Sequence, residues 1–507
     1  MKLIILTLFV LVCSVECYNI LVIFGHPGKS HYDVFKPLFQ ELGNRGHRLT
    51  IVSHVRTKDD IKNVRDVLLS DKPYVNILNV TDFVGDRIQK YKEVDFISYF
   101  AQITCDSSLK SEELHEFLKE DLRFDVVLTE VFNSNCFYGL ITKYKAPFIG
   151  LSSCALMAWH AQWFGSPDNP SYIPSIYMAY PPPMSFLERA ENTLMHLVNK
   201  LWYKVFMEDP GRALSLKYTG YEPADPYEAS LLLLNTHHTL HGVRPFTPSI
   251  VEVGGIHVSG KVPKKLPQDI EYWTNNASAG LIYFSLGSML KGHTIPKEQL
   301  QIFLKIFSKL PQRVLWKWEA DVMEGRPQNV MLTKWAPQFD ILCHPNTVLF
   351  ITHGGLLGTT ESVHCGVPMV VMPQFGDQTL NGGMVEKKGV GVVLKLKEAT
   401  EESFKEAVTK ALSANTRAKA KELSGLFKDR LVSPLNASVY WVEHLAKYKG
   451  ANHMRSEAIK MPLYQYFLLD VILFYTVILM TLFYIIFKIF KWLLSVCFGT
   501  QQKVKTS

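Results

Sequence analysis

Short, continuously apolar runs alternate with amphipathic stretches along most of the chain, and they fall into two series. The apolar runs of the first series lie at 20–24, 49–53, 126–129 and 148–151. Those of the second series lie at 281–285, 314–318, 330–332, 348–352, 369–372 and 392–394. The pattern predicts helices at 32–43, 136–144, 296–310, 355–365 and 378–388. Strands buried on both faces have this apolar character, so we expect an α/β fold with two doubly wound parallel sheets.

A stretch rich in glycine, proline and lysine at 254–267 separates the two series. Such a composition is typical of an interdomain linker. It predicts a first domain over 18–260 and a second domain over 261–450. Ligands of doubly wound sheets bind beyond the carboxyl ends of the strands, so we expect the chemistry in the loops that follow the strands.

Each end of the chain carries an apolar segment of a different kind. Residues 1–17 combine a basic start, a short apolar core and small residues near the end, as in a cleaved signal peptide. Residues 471–487 contain no charge and would span ~25 Å as a helix. With the aromatic residues that precede them, they predict one transmembrane helix over 464–487, followed by a basic tail over 488–507.

Composition and charge narrow the class of protein. The chain has 507 residues, of which 47% are hydrophobic and 20% charged, and this excludes a disordered protein. Its net charge of +7 would suit a nucleic-acid binder, but more than half of that charge comes from a tail without acids: Lys488, Lys491, Lys503 and Lys505. A positive tail stays in the cytosol, which places 18–460 in the lumen. Lys503 and Lys505 resemble a dilysine retrieval signal, so we expect a type I protein of the endoplasmic reticulum membrane and no nucleic-acid binding.

Glycosylation sites and cysteines bear on the same compartment. Three sequons, at Asn79, Asn276 and Asn436, are compatible with the lumen. Five cysteines lie between the signal and the anchor: Cys105, Cys136, Cys154, Cys343 and Cys365. Because their number is odd and no Cys-x-x-Cys spacing occurs, we expect neither a disulfide scaffold nor a zinc site.

The loop after the first predicted strand contains Gly28-Lys29-Ser30 and then His31. A phosphate-binding P-loop needs another glycine five positions before Gly28, where this chain has Ile23, so ATP hydrolysis is not expected. His31 lies where the loop enters a predicted helix. An imidazole facing a crevice from that position can act as a general base near neutral pH, and a structural role is the alternative.

The segment 350–378 carries the strongest chemical pattern. His353-Gly354-Gly355 lies at a strand-to-helix turn, where backbone N–H groups and the helix start favour an anion. Asp377 and Gln378 follow the next strand and offer acceptors and donors to sugar hydroxyls. Trp335, upstream, offers a flat face to a base. Each feature alone has an ordinary structural explanation, but together they predict a nucleotide-sugar site, and no Gly-x-Gly-x-x-Gly motif of a nicotinamide dehydrogenase follows any strand.

These motifs resemble the signature of the UDP-glycosyltransferase family across nearly the entire chain. The similarity extends beyond 350–378 to Ser30-His31, Arg45-Gly46-His47 and the C-terminal anchor. Two further short segments are most similar to insect members of this family: Phe124-Asp125-Val126-Val127 and Lys145-Ala146-Pro147.

The resemblance implies a GT-B fold and an inverting transfer of a hexose to a hydroxyl of a small lipophilic acceptor, as in detoxification. Glucose from UDP-glucose is the expected donor, and the product is a β-glycoside. UDP-glucuronosyl or galactosyl transfer, or a non-catalytic luminal binding protein, are the alternatives. The UDP-sugar is a co-substrate; no cofactor and no metal are expected, and a homo-oligomer is left open.

The same resemblance implies the roles of individual residues. His31 would be the base and Glu130 its acidic partner, although many relatives have Asp there and Asn135 lies nearby. Nine residues would bind the donor, from uracil through ribose and diphosphate to the sugar: Trp335, Gln338, Glu361, His353, Gly355, Gly358, Ser288, Asp377 and Gln378. Leu357 stands where many relatives have Asn. Five aromatic residues would line the acceptor pocket, unless they are core residues: Trp159, Trp163, Phe164, Tyr172 and Tyr180.

Overall fold

The computed structural model describes residues 17–57, 61–70, 77–83 and 89–498. They form one compact unit that ends at Arg455 and a second unit that begins at Ser456. The predicted signal peptide up to residue 16, and the end of the basic tail with Lys503 and Lys505, lie outside the described residues.

The larger unit alternates strands and helices. Its strands are β1 (Asn19–Phe24), β2 (Arg48–Ser53), β3 (Val64–Leu68), β4 (Leu78–Asn79), β5 (Val126–Glu130), β6 (Phe148–Ser152), β7 (Leu231–Leu234), β8 (Ile250–Glu252), β9 (Leu281–Ser285), β10 (Leu290–Lys291), β11 (Arg313–Lys317), β12 (Val330–Thr333), β13 (Thr347–Thr352), β14 (Met369–Val371) and β15 (Gly391–Val393). Its helices are α1 (Lys29–Asn44), α2 (Gln89–Ser108), α3 (Glu112–Leu118), α4 (Gly139–Tyr144), α5 (His160–Trp163), α6 (Phe186–Tyr203), α7 (Asp209–Thr219), α8 (His238–His241), α9 (Gln268–Asn275), α10 (Lys297–Phe307), α11 (Gln338–Leu342), α12 (Leu356–Cys365), α13 (Gln378–Lys387), α14 (Glu401–Leu412), α15 (Ala414–Lys428) and α16 (Pro434–Tyr448).

Two parallel sheets organise this unit. The first has seven strands in the order β3-β2-β1-β5-β6-β7-β8, and the second has six in the order β12-β11-β9-β13-β14-β15. Strand pairs in both sheets are parallel. Every apolar run predicted as a strand overlaps one of them, so the predicted fold of two doubly wound domains is confirmed.

Helix α1 shows how the apolar pattern becomes packing. Phe35, Leu38, Phe39 and Leu42 recur at helical spacing and are fully buried against the first sheet. The helix begins at Lys29, three residues before the predicted start at residue 32, so His31 lies in its first turn. The helix predicted at 136–144 is shorter than expected, because it is helical only from Gly139.

The chain crosses between the domains more often than one linker requires. Within the predicted linker, residues 256–258 form a short helical turn that is buried, and exposure begins further on. Helix α16 returns to the first domain, where Val439, Val442 and Leu445 join the core beside β1. Its Glu443 accepts hydrogen bonds from Arg45 Nη1 and pairs with His47 Nε2, both at 3.2 Å. The boundaries at 260 and 450 therefore stay predictions.

The cysteines correct a prediction. Cys105 is bonded to Cys136, and Cys343 to Cys365, so the expectation of no disulfide framework is wrong. The partners lie 31 and 22 residues apart, a separation that carries no recognisable spacing and is closed only by the fold. Cys154 is free and buried.

The smaller unit contains the helix that is long and apolar enough to cross a membrane. After α17 (Leu463–Tyr466), helix α18 (Leu469–Phe498) runs for 30 residues, all exposed to the surroundings. It begins later than the predicted residue 464, because Leu468 adopts a left-handed φ of 55° and interrupts the helix. It also continues past 487, so that Lys488 and Lys491 are helical. The length and composition fit a membrane anchor.

Candidate functional site

A cleft of about 660 Å³ lies between the two domains, at the carboxyl ends of their strands. Ten residues predicted from the sequence line it: His31, Ser288, Trp335, Gln338, His353, Gly355, Gly358, Glu361, Asp377 and Gln378. Glu130, at the end of β5, lies behind His31 and is 6% exposed. The fold therefore brings the predicted catalytic and donor-binding residues together in one place.

His31 and Glu130 form a close pair on the first domain. His31 Nδ1 lies 2.7 Å from Glu130 Oε1, and Ser153 Oγ lies 2.7 Å from the same nitrogen. The other carboxylate oxygen of Glu130 accepts the backbone N–H of His26 at 3.0 Å. Although its side chain is one methylene longer than that of aspartate, Glu130 thus places its carboxylate within hydrogen-bonding distance of His31. With Nδ1 occupied, Nε2 is the nitrogen left for a substrate proton.

Burial and hydrogen bonding act in opposite directions on Glu130. Burial raises the pKa of its carboxyl group, while the contact with His31 and the amide of His26 lower it. These donors stabilise the charged form of the carboxylate. An ionised Glu130 would stabilise a protonated His31.

His26 is a neighbour that the sequence did not reveal. Its ring stacks on that of His31 with centroids 4.2 Å apart, and its Nδ1 accepts the N–H of Gly28 at 3.0 Å. Phe132 meets both rings edge-on. Burial, with the nearby His31, holds the pKa of His26 well below its ordinary value, so this ring is neutral at physiological pH. His31 is therefore held in place by rings on two sides.

Three side chains of types that can bind metal ions lie close together here: two histidines and one glutamate. Ligand atoms of His26, His31 and Glu130 lie within 4.8 Å of one another. However, His26 Nδ1 is occupied by Gly28, and the two imidazoles stack with planes only 18° apart. A metal lies in the plane of each imidazole that binds it, and two stacked rings do not aim their lone pairs at one point. The geometry suits a hydrogen-bonded pair rather than a metal site.

His353 lies on the second domain, where the predicted diphosphate site is. Its ring packs between two glycines: a Cβ on Gly287 or on Gly355 would come within 2.6 or 2.5 Å of it. Gly287 also has a left-handed φ of 80°, which favours glycine. His353 Nδ1 is buried with no hydrogen-bond partner among the described residues. Burial, with Lys317, lowers the pKa of His353 to about 4, so the ring can offer an N–H donor and no charge.

Lys317 supplies a cation that the sequence analysis missed. It ends β11, lines the cleft, and its Nζ donates to Gly287 O at 3.0 Å and to Glu319 Oε1 at 2.9 Å. No motif surrounds it, and only its position after a strand could have indicated it. Leu357 also lines the cleft, so the apolar replacement for asparagine lies at the site itself.

The predicted uridine end combines an exposed ring with a buried carboxyl group. Trp335 follows β12 and is 68% exposed, so a flat base could cover it. Gln338 Nε2 donates to Glu361 Oε2 at 2.7 Å. Burial raises the pKa of Glu361 to about 7, although the bond from Gln338 opposes this. The amide and the carboxyl group therefore hold each other in place at this end of the cleft.

The predicted sugar end is formed by Asp377 and Gln378 at the start of α13. Asn381 Nδ2 donates to Asp377 Oδ2 at 3.1 Å, and burial raises the pKa of Asp377. Gln378 Oε1 already accepts two backbone N–H groups, of Gln374 at 2.9 Å and of Phe375 at 3.2 Å. Gln378 thus shapes the loop with its oxygen, and its amide nitrogen is the group left for a sugar.

The acceptor side differs from the prediction. The apolar side chains that line the cleft on the first domain are mainly Phe96, Phe100, Phe132, Met157 and Ile176. None of the five predicted aromatics is among the lining residues: Trp159, Trp163 and Phe164 are buried in the core, Tyr172 is partly exposed elsewhere, and Tyr180 bonds to Glu191. The two tryptophans and Phe164 are too deep in the core to meet a ligand, so for these three residues the alternative of a core position holds.

Comparisons with known proteins agree with this geometry. A family model described as UDP-glucoronosyl and UDP-glucosyl transferase matches residues 36–504, starting just after His31. UDP-glycosyltransferase UGT5 of Dactylopius coccus is 36% identical over 99% of this chain and 97% of its own length. UDP-glucuronosyltransferase 1A9 of Homo sapiens is 35% identical over 94% of this chain and 92% of its own.

Solved structures agree on the fold. The glycosyltransferase VinC, in complex with DTDP, covers 85% of this chain and 100% of its own with a TM-score of 0.57 at 14% identity. The glycotransferase of kitacinnamycin has a TM-score of 0.56 at 19% identity and covers 84% of this chain and 98% of its own. The two sheets with a cleft between them are therefore a GT-B fold. With the matched family model and relatives over nearly its whole length, the chain is a member of the UDP-glycosyltransferase family.

Proposed function

We propose that this UDP-glycosyltransferase transfers glucose from UDP-glucose to a hydroxyl group of a small lipophilic acceptor, with inversion at the anomeric carbon. The observation that carries the proposal is the pair of His31 and Glu130, 2.7 Å apart, on the wall of the cleft opposite the sugar-binding loop. Burial raises the pKa of Asp377, and the nearby His31 opposes this rise, which supports a short distance between His31 and Asp377.

In this mechanism His31 acts as general base. Its Nε2 takes the proton of the acceptor hydroxyl as the oxygen attacks the anomeric carbon. Glu130 stabilises the imidazolium without taking the proton itself. UDP leaves from the face opposite to the attack, so an α-linked donor gives a β-linked product.

The leaving diphosphate needs stabilisation as its charge develops. His353, Ser288, the backbone at Gly355 and the cation of Lys317 are the groups that support this role. Preorganised donors of this kind act without a metal ion. We therefore propose that neither a metal nor a further cofactor takes part.

The charges around the sugar end favour a neutral hexose. Asp377 lies there on the wall of the cleft. The four lysines that line the cleft belong to its other parts: Lys29 pairs with Asp33, Lys317 lies beside His353, Lys261 covers Phe339, and the backbone of Lys264 binds Asp340. A glucuronate carboxylate at the sugar end would meet the carboxyl group of Asp377. This is why we place glucose ahead of glucuronate, and charge alone does not separate glucose from galactose.

We also propose that the enzyme is anchored in the endoplasmic reticulum membrane with its cleft in the lumen. The apolar α18 supports the anchor, and two disulfides suit an oxidising compartment. Asn276 and Asn436 are exposed and accessible to glycosylation, whereas Asn79 is half-buried in β4. Removal of N-glycans from the expressed protein should increase its gel mobility, and substitution of Asn276 and Asn436 by Gln should abolish that shift.

Labelled donors test the reaction. Microsomes that contain the full chain are incubated with labelled UDP-glucose, UDP-galactose or UDP-glucuronate and a panel of phenols. We expect labelled glucoside, absent from the matched His31→Ala microsomes. A labelled glucuronide without glucoside would contradict the donor. UDP binding with no product from any donor would favour a non-catalytic binding protein instead.

A further inference from the structure

The sugar-binding loop 374–378 of the second domain rests on side chains of the first domain. Glu93, on α2, is 6% exposed, and its Oε2 accepts the N–H of Gly376 at 2.8 Å. Phe83 stacks on Phe375 with centroids 4.5 Å apart and planes at 26°. Two successive residues of the loop, immediately before Asp377, are thus held by segments that precede β5: Gly376 by α2, and Phe375 by the segment 77–83.

The chain before α2 makes this contact part of the architecture. Strand β4 pairs with β10 of the second domain, with Leu78 N–H donating to Met289 O at 3.1 Å. Val80 is fully buried in the core of that domain, and its N–H donates to Thr294 Oγ1 at 2.8 Å. Residues 77–83 therefore belong to the first domain by sequence and to the second by packing. They bring the start of α2 close to the sugar-binding loop.

The electrostatics around Glu93 suit a neutral acceptor. Burial raises the pKa of Glu93 to about 8, the Gly376 amide opposes this, and Asp377 adds to it. The titratable groups that act on this site are Asp377 and the buried phenol of Tyr177, which is also influenced by Cys154. At neutral pH a protonated Glu93 can accept from Gly376 through its carbonyl oxygen without repelling Asp377. Glutamine would reproduce that state.

We propose that Glu93 is a positioning residue for the donor sugar: by accepting the N–H of Gly376, it fixes Asp377 where the sugar hydroxyls bind. This rests on the proposed function, in which Asp377 holds the sugar. Glu93 itself is not among the residues that line the cleft, so it acts through the loop. The acceptor-binding domain then contributes to the choice of sugar, although the sugar is bound by the other domain.

The test compares two ligands that differ only in the sugar. For the full chain and its Glu93→Ala variant, KM for UDP-glucose and the inhibition constant of UDP are measured at pH 7. We expect KM to rise roughly tenfold, the size of one lost hydrogen bond to a polar partner, with no change in the inhibition constant. Glu93→Gln should stay close to the original enzyme, and Glu93→Asp, whose carboxyl group is one methylene further from Gly376, should lie between. Asp95→Ala removes an exposed acid from the same helix and should change neither constant.

Each other outcome would overturn the proposal. An unchanged KM in Glu93→Ala means that the loop does not depend on Glu93. An equal weakening of UDP means a general distortion of the cleft. A Gln variant as impaired as Ala means that the hydrogen bond is not the cause. If Glu93→Ala fails to fold, Glu93→Asp takes its place: an impaired Asp variant beside an unimpaired Gln variant supports the proposal, and equal impairment of both contradicts it. If the original enzyme does not use UDP-glucose, the proposed function fails separately, and direct binding of UDP-glucose and of UDP to the same variants still decides the role of Glu93.

Discussion

The donor side and the acceptor side of the cleft are built in different ways. On the donor side, most of the groups lie in the loops and helices that directly follow β12, β13 and β14, within residues 335–378. On the acceptor side, the lining residues come from α2, from the segment 77–83 and from the loops after β1, β5 and β6. The proposed nucleotide site thus comes mainly from one stretch of the chain, and the proposed acceptor site from side chains scattered over the first domain.

The difference reflects what each ligand requires. A diphosphate and a ribose need fixed donors and acceptors, which strand-end loops and a helix start provide at constant spacing. An apolar molecule needs only a concave surface, which many different side chains can form. The catalytic pair joins the two sides, because His31 faces the cleft from the first domain and Glu130 supports it from behind.

The largest effect is expected at the point where the two sides meet. His31→Ala should reduce kcat by about 10²- to 10⁴-fold, since the acceptor hydroxyl loses its general base. UDP affinity, measured by calorimetry on the full chain in detergent, should not change, because His31 does not belong to the donor side. Substantial turnover in this variant would mean that another group takes the proton.

A smaller loss should follow removal of the charge behind the base. Glu130→Gln keeps the side-chain size but cannot stabilise an imidazolium, so kcat should fall by about 10²-fold, in line with a lost charge-assisted hydrogen bond. KM for UDP-glucose should remain unchanged. A simultaneous loss of UDP binding would instead indicate that Glu130 supports the fold of the cleft.

On the donor side, Trp335→Ala should weaken UDP and UDP-glucose equally. A base stacked on this exposed ring would lose about tenfold in affinity, the size of one stacking contact. Inhibition constants for UDP and KM values for UDP-glucose provide the measurement. Val322→Ala, which shortens another exposed apolar side chain of the same domain, is the control and should have no effect. A selective loss of the sugar nucleotide alone would place uracil elsewhere.

The contrast between the donor side and the acceptor side also explains which parts of the structure could be predicted from the sequence. Apolar runs located ten of the fifteen described strands, and the motif at 350–378 indicated six of the nine predicted donor residues, because both depend on local spacing. His26 lies in the same loop as His31, but the sequence did not indicate that the two rings stack. Glu93 and Lys317 were missed because each is placed by contacts between distant segments, with no local motif around it. The disulfides were missed for the same reason.

The aromatic residues show most clearly what could not be predicted from the sequence. The sequence left open whether Trp159 and Trp163 line the acceptor pocket or belong to the core. Both lie in the core, whereas Phe96 and Phe100, on the unpredicted helix α2, line the cleft. Aromatic character alone does not distinguish a core position from a pocket position, since both exclude water. Only the packing of α2 against the cleft decides it.

The acceptor side should respond to Phe100→Ala. This change removes an apolar wall, so KM for a phenol acceptor should rise roughly three- to tenfold. KM for UDP-glucose should stay the same, in contrast to Trp335→Ala. Tyr99→Ala alters the neighbouring residue, which is 64% exposed and does not line the cleft, and should leave both constants unchanged. A shift in the donor constant would mean that the two sides are not separable at α2.

The smallest expected effect is on stability, and it compares one buried acid from each side. Burial raises the pKa of Glu93 to about 8 and that of Glu361 to about 7, above their values in the unfolded chain. Each group therefore stabilises the folded state fully at pH 4.5 and below, and this contribution is lost as the pH rises through 7 to 8. The melting temperature should accordingly fall between pH 5 and pH 8, and Glu93→Gln should reduce that fall by roughly 2 to 4 °C. Glu361→Gln should reduce it at the lower end of the same range. An identical pH profile in all three proteins would show that neither carboxyl group is protonated in the folded enzyme.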